Sequence, residues 1–140
     1  MNSLSVVLFV VFLPFSVISQ LKMQGSIPLV KKPGETLSLS CRGSGFTFGS
    51  YGMNWVKQPA GKPLEWMGYI YTHGRNTDYS SSFQDRIEIT RDNSNSMVSL
   101  RLSNLSPEDS AVYYCARRAQ LYSLFNLDVW GKGTTVTVNS

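Results

Sequence analysis

The stretch that decides the fold is EDSAVYYCAR, residues 108–117. Successive side chains of an extended strand point to opposite faces of a sheet. Ala111, Tyr113 and Cys115 therefore share one face, and the residues between them share the other. Because the first set is mostly apolar and includes a cysteine, the stretch predicts a strand whose inner face packs into a core.

Three shorter runs upstream repeat this alternation: TLSLSCR at 36–42, RIEIT at 86–90 and VSLRL at 98–102. Each run places apolar residues on one face and polar residues on the other, which is typical of a sheet with one solvated face. Turn-favouring Gly, Pro, Ser and Asn residues separate the runs, and no long segment after residue 19 has the period of an amphipathic helix. We therefore predict an all-β domain, either a sandwich or a barrel.

The first 19 residues, MNSLSVVLFVVFLPFSVIS, contain no charged side chain and carry an apolar run from Leu4 to Leu13. They end in compact residues that suit a signal peptidase. A membrane anchor is the alternative, but the apolar segment is shorter than the roughly 20 residues of a spanning helix and is interrupted by Pro14. We predict a cleaved signal peptide at 1–19 and a mature domain at 20–140, with no transmembrane segment in the mature part.

The charges of the chain are balanced and scattered. Its 13 basic and 9 acidic residues give a formal net charge of +4, and no cluster forms the basic stripe of a nucleic-acid surface. Cys41 and Cys115 are the only cysteines, and in an exported chain such a pair predicts a disulfide. With one histidine available, these two cysteines cannot complete a zinc site.

The order of the core residues resembles a known family. Cys41, Trp55 and Cys115, with Tyr113 two positions before the second cysteine, follow the cysteine–tryptophan–cysteine and tyrosine-corner pattern of immunoglobulin domains. From residue 20 to residue 140 the chain resembles an immunoglobulin heavy-chain variable domain. The matching motifs are LSLSC (37–41), WVKQPAGKPLEWMG (55–68), EDSAVYYCAR (108–117) and WGKGTTVTV (130–138). The Trp of WGKG favours a heavy chain, because light chains and T-cell receptors usually have Phe there.

The resemblance implies a variable-type, two-sheet antiparallel Greek-key sandwich with one inter-sheet disulfide, Cys41 to Cys115. Trp55 would cover the bridge, and Tyr113 would form the tyrosine corner. Two charge pairs are also expected, the first structural and not functional, the second with two solvated charges of little energetic value as the alternative. These pairs are Arg86 with Asp109, and Arg117 with Asp128.

The family implies that three loops at one end of the sandwich bind antigen. Here they map to 45–54, 69–78 and 118–126, and the third is expected to arise from gene-segment joining. Tyrosine brings large contact area with few rotors, and small polar groups adapt their hydrogen bonds. The candidate contact residues are Ser50, Tyr51, Asn54, Tyr69, Tyr71, Thr72, His73, Arg75, Asn76, Asp78, Arg118, Gln120, Leu121, Tyr122, Ser123, Phe125 and Asn126. The charged members favour a ligand with some acidic character.

Other apolar residues of the first loop region, Phe46, Phe48 and Met53, are predicted to plug the end of the core instead of touching antigen. An outer sheet face, by contrast, carries too many apolar residues for contact with water alone. Its residues are Val56, Gln58, Leu64, Trp66, Tyr114 and Trp130. The family implies that this face pairs with a light-chain variable domain and that constant domains follow Ser140.

Several alternatives remain open. A variable-type domain of a T-cell receptor or of a germline-encoded innate receptor is the second hypothesis. A secreted enzyme or lectin is the third, but it would need a catalytic cluster or metal site, and His73 has no partner fixed near it in the sequence. We predict no enzymatic activity, no cofactor and no metal. We expect a secreted protein, or one on the extracellular face of the plasma membrane in a B-cell receptor.

Asn104-Leu105-Ser106 fits a glycosylation acceptor, although Pro107 directly after it lowers the expected occupancy. The sequence does not identify the antigen, the affinity, the light-chain partner, the isotype or the species.

Overall fold

A computed structural model describes residues 18–25, 27–119 and 126–140. Within these ranges the chain forms strands joined by turns and three single-turn 3-10 helices at Phe48–Ser50, Asn93–Asn95 and Pro107–Asp109. The strands are β1 (Gln20–Met23), β2 (Leu29–Lys31), β3 (Leu37–Ser44), β4 (Met53–Gln58), β5 (Glu65–Ile70), β6 (Thr77–Tyr79), β7 (Ile87–Asp92), β8 (Met97–Leu102), β9 (Ala111–Arg118), β10 (Leu127–Trp130) and β11 (Thr134–Val138).

The strands form two sheets, as predicted. One sheet has the order β1-β3-β8-β7, and the other has the order β2-β11-β9-β4-β5-β6, with β10 also paired to β9. The pairings are antiparallel except that of β2 with β11, which is parallel. The exception arises because the chain leaves the first sheet after β1, turns at Gly25 (φ 64°) and joins the second sheet as β2.

The buried faces are those that the alternation predicts. Leu37, Leu39 and Cys41 on β3 are buried, as are the inward residues of β7, β8 and β9. The predicted disulfide joins Cys41 of one sheet to Cys115 of the other, with their Cα atoms 6.5 Å apart. The bridge closes a sequence separation of 74 residues, for which the chain-entropy model assigns roughly 4–5 kcal/mol of stabilisation.

Two residues of the recognised motifs pack around this bridge. Trp55 on β4 is fully buried and is the cross-strand neighbour of Cys115. Gly131 of the WGKG motif lies directly over the disulfide, since a Cβ atom there would come 2.8 Å from the Cys115 Sγ. A side chain at this position would therefore force the bridge or the backbone to move.

A buried polar network closes the end of the sandwich away from the predicted loops. Asp109 accepts two hydrogen bonds from the Arg86 guanidinium at 3.0 Å and one from the Ser106 backbone at 2.9 Å. The Tyr113 hydroxyl donates to the Asp109 carbonyl oxygen, which is the tyrosine corner. Burial opposes ionisation of Asp109, but the hydrogen bonds from Arg86 and Ser106 outweigh it and hold the pKa of this carboxyl below its usual value. Burial also raises the pKa of Tyr113.

Lys57 extends this network into the core. It follows Trp55 by two positions on β4, so its side chain lies on the inner face and is buried. Its ammonium group lies 3.9 Å from carboxylate oxygens of both Glu65 and Asp109, and 5.0 Å from the centre of the Phe83 ring. These contacts compensate a buried cation that would otherwise be costly.

Candidate functional site

A bulge in β5 determines which residues share the outer face of the larger sheet. Trp55 pairs with Gly68 while Val56 pairs with Trp66, so Met67 is an extra residue on β5. Met67 and Gly68 are both buried, and the bulge therefore lets Trp66 and Tyr69 line the same outer surface. Strict alternation would have placed these two aromatic residues on opposite faces.

This outer surface contains a cleft of about 590 Å³. Its lining comes from five strands, β4, β5, β6, β9 and β10, and from residues directly before or after β5 and β10. The described lining residues are Asn54, Val56, Leu64, Trp66, Tyr69, Tyr71, Asp78, Arg118, Asn126, Leu127 and Trp130. The cleft thus joins residues predicted for partner pairing to residues predicted for antigen contact.

An aromatic and charged group occupies the loop end of the cleft. The rings of Tyr69 and Tyr71 meet edge to face with centroids 4.8 Å apart. The Tyr71 hydroxyl donates to Asp78 at 2.7 Å, and this hydrogen bond raises the pKa of Tyr71. Arg118 donates to the Tyr69 hydroxyl at 3.3 Å, and its guanidinium carbon lies 5.3 Å from the centre of the Tyr69 ring.

Arg117 lies next to Arg118 but has different surroundings. Its guanidinium stacks on Tyr51 and Phe46, at 4.0 and 4.7 Å from the ring centres. It also donates to both carboxylate oxygens of Asp128 at 2.9 and 2.7 Å, so the predicted ion pair forms. The hydrogen bonds from Arg117 lower the pKa of Asp128.

Sequence reasoning missed Arg91, which joins the first two loops. Its guanidinium donates to the backbone oxygens of Phe48 at 2.8 Å and Tyr71 at 3.1 Å, and it lies over the Phe48 ring. Asn93 adds a hydrogen bond of 2.9 Å to the Thr72 backbone oxygen. Extending the alternation of Ile87 and Ile89 would have placed Arg91 on the inner face, where a cation requires specific partners.

The structure shortens the predicted loops and divides the predicted contact residues. The connecting segments are 45–52, 71–76 and 119–126, because β4 begins at Met53, β5 ends at Ile70, β6 begins at Thr77 and β9 ends at Arg118. The exposed candidates are Ser50, Tyr71, His73, Arg75, Asn76, Asp78 and Asn126, and the half-buried ones are Tyr51, Tyr69, Thr72 and Arg118. Gln120, Leu121, Tyr122, Ser123 and Phe125 lie outside the described residues.

Asn54 departs from its prediction as an exposed contact residue. Its side chain is on β4, only 6% of the residue is exposed, and its amide oxygen accepts the indole N–H of Trp66 at 2.8 Å. It orients Trp66 within the cleft. Phe48 and Met53 are buried and Phe46 packs against the core, as predicted for residues that plug its end.

The residues predicted for pairing lie on one face but differ in exposure. Leu64, Trp66 and Trp130 are exposed, and the half-buried Tyr114 meets Trp130 edge to face at 6.0 Å. Val56 departs from the prediction, because only 4% of it is exposed. Its cross-strand neighbours Trp66 and Tyr114 flank it on both sides. The half-buried Gln58 donates to the Lys62 backbone oxygen at 3.3 Å.

In the part of the chain that the structure describes, no group of three His, Cys, Asp or Glu residues could hold a metal ion. The helices within the same ranges include none that is long and apolar enough to cross a membrane. The predicted signal peptide lies outside the described residues except for its last two positions, so its cleavage stays a prediction.

Comparison with known proteins agrees with this architecture. Residues 24–139 match the model of the immunoglobulin V-set domain. The chain belongs to the immunoglobulin V-set family, and its relatives place it among heavy-chain variable domains. It is 45% identical over 132 residues to the mouse Ig heavy chain V region MOPC 141, with 91% of each chain covered. It is 44% identical over 133 residues to the Xenopus laevis Ig heavy chain V region XIG14, with 95% of this chain and 96% of the relative covered.

Proposed function

We propose that the domain forms the heavy-chain half of an antigen-combining site and pairs with a light-chain variable domain through its outer sheet face. One observation carries the proposal. The cleft is continuous from the exposed apolar residues Leu64 and Trp130 to the tyrosine- and arginine-bearing residues at the loop end. An apolar surface that leads into adaptable polar groups suits a subunit interface that opens onto a ligand site.

Pairing is tested by co-expressing the full chain with a panel of light-chain variable domains and measuring the mass of the secreted species by size-exclusion chromatography. We expect a one-to-one heterodimer. Leu64→Arg should abolish it, because Leu64 is 51% exposed on the proposed interface and an arginine there would be desolvated without a partner.

Val30→Arg is the matched control. Val30 is also an exposed aliphatic residue, at 70%, but it lies on β2 at the edge of the same sheet. This variant should pair normally. A monomer that ignores every light chain, or equal loss of pairing in both variants, would contradict the proposed interface.

We also propose that the protein acts outside the cell, with constant domains attached to the domain, either as a secreted protein or within a B-cell receptor. Mass spectrometry of the secreted chain tests the export step. The mature protein should begin at Gln20, and the same spectrum reports whether a glycan is attached at Asn104. A secreted chain that retains residues 1–19 would contradict the predicted cleavage.

A further inference from the structure

Arg118 differs from the other arginines that line or support the loop end. Arg117 is paired with Asp128, and Arg91 is held by backbone oxygens of the first two loops. Among the residues that the structure describes, Arg118 forms no ion pair, and its guanidinium donates to the Tyr69 hydroxyl. A guanidinium has five N–H donors, so this cation retains donors for an incoming acceptor.

The position of Arg118 makes those donors accessible to a ligand in the cleft. The residue is half-buried and lines the cleft, whereas Arg75 is exposed on the 71–76 turn and does not line it. Partial burial strengthens a charge-assisted hydrogen bond relative to one in water. A carboxylate, phosphate or sulfate oxygen is the acceptor whose geometry fits a guanidinium fork.

The remaining walls of the cleft favour a flat apolar group. Val56 and Trp66 contribute apolar surface, and Tyr69 presents its ring beside the Arg118 guanidinium. The indole N–H of Trp66 donates to the Asn54 side chain, which fixes the orientation of Trp66. Aromatic rings gain from edge and offset contacts with such side chains. Asp78 is the cross-strand neighbour of Tyr69 and accepts a hydrogen bond from Tyr71, so an anion is favoured on the Arg118 guanidinium and not beside this carboxyl group.

We propose that this cleft binds a planar aromatic group that carries an anionic substituent, with the anion on Arg118 and the ring between Trp66 and Tyr69. The inference rests on the proposed function and names the ligand class of the same site. The aryl anion is either a free small molecule or a phosphorylated or sulfated tyrosine side chain of a protein. A paired light chain would supply the outer wall of the cleft.

The indole N–H groups of the three tryptophans report occupancy directly. Trp66 and Trp130 line the cleft, and Trp55 is buried beside the disulfide as an internal reference. The full chain is expressed with 15N-labelled tryptophan and is studied with an unlabelled light-chain domain where one pairs, and alone otherwise. The probes are phenyl phosphate, inorganic phosphate, phenol and a short peptide with one phosphotyrosine.

We expect phenyl phosphate or the peptide to shift the Trp66 resonance saturably and to leave that of Trp55 in place. Phosphate alone and phenol alone should bind at least about tenfold more weakly, because each lacks one of the two contacts. The tighter of the two aromatic probes identifies the source of the aryl anion. Equal binding of phenol and phenyl phosphate, or no saturable shift of Trp66, would overturn the proposal.

Arg118→Gln should weaken the binding of phenyl phosphate by about tenfold or more. Arg101→Gln removes the same charge from an exposed position on β8, in the other sheet, and should change the affinity by less than about twofold, as screening predicts for an exposed, distant charge. Equal weakening in both variants would show diffuse attraction to a basic protein and would refute the site. If Arg118→Gln is not secreted, the comparison of phenol with phenyl phosphate on the unaltered chain still tests the proposed site.

The ligand-binding tests can fail while the pairing test of the proposed function succeeds. Heterodimer formation is measured by mass and does not depend on these probes. A chain that pairs with a light chain but binds no aryl anion would support the proposed function and refute this ligand class.

Discussion

The two ends of the sandwich each hold a bidentate arginine–aspartate pair, but the two pairs have different surroundings. At the closed end only 3% of the Asp109 side chain is exposed, and it also accepts from the Ser106 backbone. At the loop end 36% of the Asp128 side chain is exposed. Buried charge pairs become very costly when one partner is removed, whereas exposed pairs contribute little. We infer that the ion pair at the closed end stabilises the fold, whereas the ion pair at the loop end mainly positions side chains of a binding surface.

Asp109→Asn should give the largest effect. The substitution leaves Arg86 and the buried Lys57 without their shared carboxylate and should lower the free energy of unfolding by about 3 kcal/mol. Urea denaturation followed by tryptophan fluorescence measures this loss. Glu108→Gln removes an adjacent exposed charge and should change the free energy by less than about 0.5 kcal/mol; equal costs would show that net charge, not the buried network, matters.

Lowering the pH should cause part of the loss in unfolding free energy that is expected for Asp109→Asn. The pKa of Asp109 is lower in the folded chain than its ordinary value, so its contribution to stability is complete above the unfolded-state pKa of about 3.9 and is lost as pH falls through the folded pKa. Between pH 5 and pH 2 the free energy of unfolding should therefore fall more steeply in the unaltered chain than in Asp109→Asn. Parallel pH profiles would exclude Asp109 as a source of acid sensitivity.

Tyr113→Phe should cost about 1–2 kcal/mol, because it leaves the buried Asp109 carbonyl oxygen without its hydroxyl donor. Tyr114→Phe is a matched control on the same strand, since the Tyr114 side chain faces the outer surface and is half-buried. It should be neutral within about 0.5 kcal/mol. Thermal unfolding of both variants compares the closed end with the outer face, and a larger loss in Tyr114→Phe would reverse the assignment.

Asp128→Asn should have the smallest effect, about 1 kcal/mol or less, because the carboxylate is partly solvated. Arg117 also keeps its contacts with the rings of Tyr51 and Phe46, which retain some cation–π attraction. The same denaturation experiment tests this value. A loss equal to that of Asp109→Asn would abolish the distinction between the two ends.

The sequence predicted the inner faces well because they follow a local rule. Alternation in β3, β7, β8 and β9 identified the buried residues, and the comparisons confirmed the family inferred from the spacing of the cysteines, Trp55 and Tyr113. Exposure on the outer face was predicted less well. Val56 does point outward, but Trp66 from the next strand and Tyr114 from the distant strand β9 cover it.

The sequence by itself therefore determined the fold class, the disulfide and the direction of most strand side chains. Each of these depends on short-range periodicity or on residue types that have few alternative uses in an exported domain. The tertiary structure alone decided how Trp66 and Tyr69 share one surface, how Arg91 joins two loops, and how Arg118 meets Tyr69 in a cleft. These features depend on a bulge and on contacts between strands far apart in the chain, which local periodicity does not encode.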